Sequence, residues 1–328
     1  MESSNNIRLS IIIPFYNVEQ YIAQCLDSVY QQDIPESEYE VICVNDASPD
    51  NSRAIVKEYQ KKHMNLILVE HEENKKLGAA RNTGRSVAKG RYIWNVDSDD
   101  MIAPNCLMAM LDLCEKNDLD VLMYGSRVVR NGKLYDKDHN PWRDSSEVTT
   151  GLHFWKEQGL KNQEFISPVW TQMYKRAYLD EKAIYSPAIN MSEDVPYTYA
   201  TILFAGRMMV TNAPYYIYRE NTTSLTGELR KSPRPLTVYE NSFVAGKHMY
   251  ALMHQIRNEE SSVYRSVENV TKYIVVMYYK YAQLLSDDDR YELRRTCLFH
   301  WLKNLFVYRV LSPKQGMTYT KFVFTGKL

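Results

Sequence analysis

The 328-residue sequence has no net charge, no paired cysteine motif and no long hydrophobic run. Its 40 Lys and Arg residues balance its 40 Asp and Glu residues, so no overall field attracts a polyanion and we expect no nucleic acid among its partners. Its five cysteines include no CxxC pair, which argues against a disulfide framework or a structural zinc site and suits a reducing compartment. No stretch approaches the roughly 20 apolar residues of a spanning helix.

Other familiar signals are missing as well. The first residues, MESSNNIRLSIII, lack the basic start and long apolar core of a signal peptide, so we expect a cytoplasmic protein, either soluble or peripheral on the inner face of the membrane. The seven histidines show no HExxH spacing, and GxSxG, GxGxxG and GxxxxGK[ST] are absent. We interpret the histidines as surface or packing residues, Gly78 and Gly84 as helix-packing positions, and Gly90 as a helix C-cap.

The first part of the sequence alternates between short apolar runs and helix-like segments. The apolar runs are LSIIIP, YEVICVND, LILVEH, YIWNVD and DVLMYG. Strands that are apolar throughout and alternate with helices of about 12 residues predict βαβ units and a parallel sheet covered on both faces. In such sheets ligands bind beyond the carboxyl ends of the strands, so the residues that follow each run are the candidates for function.

The second part of the sequence has a different pattern. Residues 130–167 are polar and turn-rich, which indicates an excursion or a hairpin within the domain. Beyond Pro235 the spacing of apolar residues is helical to about Leu311. The sequence therefore predicts an α/β domain over residues 1–230 and a helical C-terminal extension over 231–328.

The first two strand ends carry an aromatic pair and a carboxylate. Pro14 cannot donate a ladder hydrogen bond, so it is expected to stop the first strand and leave Phe15 and Tyr16 at the sheet edge. An aromatic side chain there could stack on a base, although core packing is an alternative. Asp46 follows the second strand, where a carboxylate could accept hydrogen bonds from a nucleobase imide or a ribose hydroxyl. Asp50 is interpreted as a turn or N-cap residue.

The fourth strand runs into three aspartates, in the stretch YIWNVDSDDM. In an extended chain Asp97 and Asp99 point to the same side, and two carboxylates at that spacing suit Mg²⁺ or Mn²⁺ that also bridges substrate phosphates. A solvated turn is the alternative. Arg81, which precedes this strand, could bind a diphosphate or a base carbonyl, or could be a surface charge.

These motifs together are similar to those of the family 2 glycosyltransferases of the GT-A fold. The similarity covers residues 8–226 and runs through SIIIPFYNVEQYIAQCLDSVYQQ, EVICVNDASPDNS, LGAARNTGRSVAKGRYIWNVDSDD, MSEDVPYTYATIL and YYIYRENTTSLT, in the family's order. It implies a GT-A, mainly parallel mixed sheet flanked by helices, with a nucleotide-sugar half over about 8–130 and an acceptor half over about 131–230. The last hundred or so residues carry no comparable resemblance.

The resemblance also implies roles for residues of the donor site. Pro14, Tyr16 and Asp46 correspond to positions that line the base and ribose pocket, with Glu19 nearby. Arg81 resembles the family's arginine at the base or diphosphate.

A second group of residues resembles the family's metal and sugar positions. Asp97 and Asp99 resemble its DxD motif, with Asp99 in direct contact with the metal. The SED run resembles its xED motif and implies that Asp194 is the catalytic base. Asp100 and Glu193 are expected to face the donor sugar or acceptor. Trp170 matches a family position before the acceptor side. For Glu193 and Asp194 the alternative is a structural role, because a helix N-terminus favours acidic side chains.

The implied function is inverting, metal-dependent transfer of a sugar from a nucleotide-sugar donor, expected to be a UDP-sugar, to a glycan or lipid-linked acceptor. The expected cofactor is Mn²⁺ or Mg²⁺, and the expected setting is bacterial surface polysaccharide synthesis. A non-catalytic, nucleotide-sugar-binding subunit of a polysaccharide-assembly complex is the alternative. A nucleotidyltransferase is a third option, although its glycine-rich start is missing after SIIIP.

The C-terminal segment RYELRRTCLFHWLKNLFVYRVL has apolar residues at helical spacing among basic ones. Such a helix could lie on a membrane surface near a lipid-linked acceptor. Packing against the catalytic domain, or against a second copy in a homo-oligomer, is the alternative.

Overall fold

The computed structural model describes the chain in two compact units. The described residues are 7–135, 144–159, 168–190, 192–221, 236–259, 261–280, 285–299 and 311–325. The first unit comprises Met1–Ala188 and Tyr197–Glu220, and the second comprises Ile189–Pro196 and Asn221–Leu328. The domain boundary expected at residue 230 falls within 222–235, outside the described residues. The division also assigns the SED run to the second unit.

Ten strands among the described residues form the sheet of the first unit. They are β1 (Leu9–Phe15), β2 (Tyr39–Asn45), β3 (Leu66–Glu70), β4 (Tyr92–Asn95), β5 (Met101–Ile102), β6 (Val121–Arg130), β7 (Lys133–Tyr135), β8 (Ser145–Thr149), β9 (Gln172–Lys175) and β10 (Met208–Arg219).

The helices alternate with strands early in the chain and follow one another later. They are α1 (Ile22–Tyr30), α2 (Ser52–Lys62), α3 (Leu77–Val87), α4 (Leu107–Lys116), α5 (Gly151–Phe154), α6 (Arg176–Glu181), α7 (Asp194–Leu203), α8 (Leu236–Gln255), α9 (Ser261–Lys280), α10 (Asp287–Phe299) and α11 (Pro313–Thr325).

The strand order is β3-β2-β1-β4-β9-β6-β10-β5, with β7 beside β6 and β8 beside β10. Strands β1 to β4 pair in parallel, and β9 enters antiparallel between β4 and β6. Every residue of β1 and β2 is buried, as expected for strands covered by helices on both faces. The structure therefore confirms the mainly parallel mixed sheet flanked by helices.

Two details of the sequence interpretation are wrong. Strand β1 does not stop at Pro14, which pairs with Val44 within the β1–β2 ladder. Because β4 pairs with β1 only as far as Ile12, Pro14 lies past the last β4 pairing, where the missing N–H costs no ladder bond. Gly90 is not a helix C-cap, since α3 ends at Val87; a Cβ on Gly90 would lie 2.4 Å from the Ser10 nitrogen.

The other two glycines have the packing role that the sequence indicated. A Cβ on Gly78 would lie 1.6 Å from the carbonyl oxygen of Pro187, and a Cβ on Gly84 would lie 2.4 Å from Cγ2 of Ile12. Both distances are shorter than any real contact. Helix α3 therefore lies directly against the sheet and the segment around Pro187 only because it carries these glycines.

In the second unit, α8 packs on α9 and α10 packs on α11. Gly246 marks the α8–α9 contact, because a Cβ there would lie 2.9 Å from Cγ2 of Val275. Within the described part of the chain, no helix combines the length and the apolar character needed to cross a membrane. The proposed amphipathic segment extends through residues 300–310, which lie outside the described residues.

Candidate active site

Asp46 lies at the carboxyl end of β2 and holds the loop that leads into α3. Its Oδ1 accepts hydrogen bonds from Nδ1 of His71 at 2.7 Å and from the backbone N–H of Lys75 at 2.8 Å. Its Oδ2 accepts the backbone N–H of Lys76 at 3.0 Å. Asp46 is only 3% exposed, and these bonds compensate for its desolvation.

His71 is the residue of this corner that the sequence interpretation missed. It was taken for a surface or packing residue, but Nε2 lies 2.9 Å from Oγ1 of Thr83 on α3. The ring thus connects Asp46 to α3. The rule applied to the other strand ends would have identified it, since His71 follows β3 directly as Asp46 follows β2.

The backbone of this loop is strained at Lys76. This residue has φ 80° and ψ 156°, a region that only glycine adopts readily. Its N–H is bonded both to Asp46 and to Oδ1 of Asn74. The contacts of the loop therefore hold a lysine in a conformation that it disfavours.

We expect Lys76→Gly to raise the free energy of unfolding by about 1 kcal/mol, since glycine removes the strain and keeps the N–H. Chemical denaturation monitored by circular dichroism measures the change. The matched control is Lys75→Gly, at a neighbouring exposed lysine without a positive φ, which should lower stability. Equal effects of the two substitutions would contradict the strain argument.

Arg81 connects α3 to the aspartates that follow β4. Its guanidinium donates to Oδ1 of Asp97 at 2.9 Å, and its side chain is 6% exposed against 25% for Asp97. A buried guanidinium beside a partly exposed carboxylate is a strong, directional pair. The structure thus brings the predicted Arg81 and Asp97 together on the edge where β4 ends.

Asp100 has a different position from the other two acids of the motif. It is 1% exposed, and its oxygens accept the Tyr216 hydroxyl at 2.8 Å and the backbone N–H of Arg219 at 2.7 Å. Burial raises the pKa of the Asp100 carboxyl well above its usual range, and the neighbouring carboxylates Asp99 and Asp97 raise it further. This position does not favour the predicted contact of Asp100 with the sugars, because the side chain faces protein.

Strand β10 supports the loop of aspartates from the other side. The hydroxyl of Tyr216 also accepts the backbone N–H of Asp97 at 3.1 Å. Nε of Arg219 donates to the carbonyl of Asp99 at 2.8 Å, and its Nη2 donates to Oε1 of Gln24 at 2.6 Å. The loop is therefore fixed by side chains far away in sequence, which no local pattern identified.

Trp170 lies in the core rather than at an open surface. It is 6% exposed, and its ring stacks on Tyr216 with centroids 4.3 Å apart and on Tyr218 with centroids 5.7 Å apart. The burial of Trp170 therefore does not favour the predicted contact with the acceptor. Its stacking partner is the tyrosine that holds Asp97 and Asp100.

The predicted base-pocket residues after β1 differ in exposure. Pro14 is buried in the strand, whereas Tyr16 is 48% exposed. Glu19 is exposed, and its Oε2 accepts the backbone N–H of Asn51 at 2.9 Å. Asp50 accepts the N–H of Glu19 at 2.8 Å and the N–H of Ser52 at 3.1 Å, as expected of a turn residue, whereas the N-cap of α2 is Asn51.

The predicted base and its neighbour lie at the start of α7. Asp194 is the first residue of this helix, and Glu193 before it is 5% exposed. Ser192, which begins the SED run, has φ 62°. The chain therefore passes through the left-handed region at Ser192, directly before Glu193 and the start of α7.

Over the described residues, no group of three or more His, Cys, Asp and Glu side chains forms a metal cluster. Asp97 and Asp99 are both half-buried, so water and substrate oxygens can reach them. A two-carboxylate set of this kind suits a hard cation that completes its shell with water and phosphate.

Comparison with known proteins identifies the family. The model of the glycosyl transferase family 2 matches residues 10–186, more than half of the chain. The chain belongs to this family. As a family 2 glycosyltransferase it has relatives among curated bacterial proteins, which include two poly(ribitol-phosphate) glycosyltransferases and a minor teichoic acid biosynthesis protein.

Two relatives show how far this similarity extends. The uncharacterized glycosyltransferase EpsJ of Bacillus subtilis is 32% identical over 221 residues, which cover 66% of this chain and 62% of that protein. The poly(ribitol-phosphate) beta-glucosyltransferase of Bacillus spizizenii is 34% identical over 218 residues, covering 65% of this chain and 32% of that protein. The chain thus spans less than two thirds of either relative.

A solved structure agrees with the fold of this glycosyltransferase. The complex of Staphylococcus aureus TarS 1-349 with UDP-GlcNAc superposes with a TM-score of 0.64 and 24% identity, covering 94% of this chain and 83% of that one. At this identity the similarity shows the fold, and the GT-A architecture expected from the sequence is confirmed.

Proposed function

We propose that the protein transfers a sugar from a nucleotide-sugar donor, a UDP-sugar, to a hydroxyl of a glycan or lipid-linked glycan in bacterial surface polysaccharide synthesis. One observation carries the proposal: α3 connects Asp46 and Asp97 at the carboxyl edge of the parallel strands. It contacts Asp46 through Thr83 and His71, and Asp97 through Arg81. Ligands of open α/β sheets bind at this edge.

The donor is assigned to the same edge. Asp46 would accept from the base, the half-exposed Tyr16 would stack on it, and Pro14 and Glu19 would line the pocket. Arg81 would face the diphosphate while it orients Asp97. The UDP-GlcNAc in the TarS complex and the naming of relatives as poly(ribitol-phosphate) glycosyltransferases support a UDP-sugar donor and a polymeric acceptor.

Asp99 and Asp97 would hold Mn²⁺ or Mg²⁺ in the bound state. Their partial exposure and hard oxygen atoms fit such a cation. When bound, a divalent cation supplies positive charge beside the departing diphosphate. Arg81 adds a fixed positive charge at the same edge, so the chain's own residues also oppose the charge that develops as the sugar–phosphate bond breaks.

Asp194 is proposed as the catalytic base. A departing diphosphate whose charge is compensated needs no proton donor, so one carboxylate that removes the acceptor's hydroxyl proton is sufficient. A single in-line displacement then inverts the anomeric centre. Glu193 would contact the sugars, whereas Asp100 and Trp170 would act through Tyr216 as supports of the aspartate loop.

We also propose that the protein acts in the cytoplasm at the inner face of the membrane, where a lipid-linked acceptor is available. On α10 and α11 the large apolar side chains of Tyr291, Met317 and Phe324 are 57%, 71% and 50% exposed. Apolar groups of this kind at an interface favour peripheral binding. Flotation of the full chain with anionic liposomes tests this, and a protein that stays at the bottom of the gradient would contradict it.

Thermal-shift measurements test the donor proposal. Ligand binding raises apparent stability by mass action, so a UDP-sugar should raise the melting temperature in the presence of Mn²⁺ and less so with chelator. Arg81→Ala should abolish the shift. Arg53→Ala, at an exposed arginine of α2 that pairs with Glu70, should keep it. No shift with any nucleotide sugar would remove the main support for the donor site.

A further inference from the structure

The two oxygens of Asp46 are unequally occupied. Among the described residues Oδ1 accepts two hydrogen bonds, from His71 and from the N–H of Lys75, while Oδ2 accepts one, from the N–H of Lys76. Each carboxylate oxygen offers two lone pairs. Oδ1 is therefore saturated, and Oδ2 keeps one acceptor position for a ligand.

His71 is responsible for this asymmetry and is itself firmly held. Its backbone N–H donates to the carbonyl of Asn45 at 2.9 Å, and the residue is 8% exposed. Because Nδ1 faces an acceptor-only carboxylate, that nitrogen carries the proton, and Thr83 fixes the opposite side of the ring. The imidazole thus occupies Oδ1 whether or not a ligand is present.

We propose that His71 is a positioning residue which sets the base selectivity of the donor site; this rests on the proposed function of Asp46. With His71 in place, Asp46 can accept a hydrogen bond from only one N–H donor of the base. Uracil offers one imide N–H between two carbonyl groups. Guanine offers two adjacent donors, N1–H and the 2-amino group, which together require both carboxylate oxygens.

The selectivity follows from the cost of unsatisfied polar groups. A guanine docked on Asp46 would leave one buried N–H without an acceptor, and such a loss discriminates strongly between ligands. Removing the His71 donor opens a lone pair on Oδ1 and lets the carboxylate rotate. The site should then bind uracil less well and lose its discrimination against guanine.

A role in packing alone makes a different prediction from a role in positioning. Asparagine can place an amide N–H near the position of Nδ1, whereas leucine fills similar space without a donor. Selectivity that follows the N–H donor would therefore be retained in His71→Asn and lost in His71→Leu. Selectivity that follows packing would show the opposite order.

Calorimetric titration of the full chain with UDP and with GDP, in Mn²⁺, measures the ratio of the two affinities. We expect the wild type to favour UDP and His71→Leu to reduce the ratio about tenfold, the usual effect of losing a hydrogen bond to a charged group. His71→Asn should stay within about threefold of wild type. The control is His63→Ala, because Nδ1 of His63 lies 2.9 Å from Oε1 of Glu36 in a similar pair outside the site.

Each result bears on the proposal. An unchanged UDP-to-GDP ratio in folded His71→Leu overturns it, as does a wild type that favours GDP, which would leave nucleotide-sugar transfer standing. A wild type that binds neither nucleotide overturns the proposed function and this inference with it. If His71→Leu does not fold, Thr83→Val decides: a ratio reduced by about threefold supports the role of the ring's orientation, and an unchanged ratio overturns it.

Discussion

Asp194→Asn is expected to lower the rate of sugar transfer by about 10²- to 10⁴-fold, the usual contribution of a general base. Donor affinity should stay within about twofold of wild type, since the amide has the same shape and the proposed base contacts the acceptor. Initial rates of transfer and donor titrations on the same folded preparation measure both quantities. The split between rate and binding separates a chemical role from a binding role.

The structural alternative for Asp194 predicts a different result. As the first residue of α7, an acid can simply stabilise the helix N-terminus, and asparagine would then cost only a few tenths of a kcal/mol of stability and no activity. Glu181→Gln is the matched control, because Glu181 is an acid with a 70% exposed side chain at the end of α6. A folded Asp194→Asn enzyme that transfers sugar at near wild-type rate would exclude the catalytic role.

Asp99→Asn is expected to abolish the Mn²⁺-dependent part of donor binding and to reduce turnover by about 10²-fold or more, since a neutral amide is a poor ligand for a hard cation. The rate of diphosphate release is measured as a function of Mn²⁺ concentration. The loss appears as a higher Mn²⁺ concentration at half-maximal rate and as a lower maximal rate. Asp99 is half-buried and follows Asp97, which is held by Arg81. The substitution should therefore change the site without unfolding the loop.

Asp112→Asn is the control for the loss of one negative charge. Asp112 lies on α4, its side chain is 66% exposed, and it is 3.7 Å from a guanidinium nitrogen of Arg8, so its removal should leave the metal dependence unchanged. If Asp99→Asn kept the wild-type Mn²⁺ response, Asp99 would not be a metal ligand.

Much of the fold could be predicted from sequence because the central strands have apolar residues at every position. Strands β1 and β2 are buried throughout, and this pattern marks parallel strands without any knowledge of their partners. Strand β9 has four residues and gains its order only from β4 and β6 on either side. A strand stabilised by distant partners leaves little local signal.

The candidate site could likewise be predicted only in part from the sequence. Strand ends identify Asp46 and Asp97 because the carboxyl edge of a parallel sheet is the binding edge. The residues that support them come from α3 and β10, and sequence spacing does not reveal them. Thr83 reaches Asp46 only through His71, whereas Tyr216 and Arg219 hold the backbone of the aspartate loop. Neighbouring acids can also face opposite environments in a turn, which is why the burial of Asp100 could not be foreseen.

The release of nucleoside diphosphate from a panel of nucleotide sugars, with a glycan acceptor and Mn²⁺, tests whether the protein transfers sugar from a UDP-sugar. We expect release from a UDP-sugar that requires the cation, is stimulated by acceptor and is lost in Asp194→Asn. A folded protein that binds a UDP-sugar but neither releases diphosphate nor transfers sugar under these conditions would contradict it.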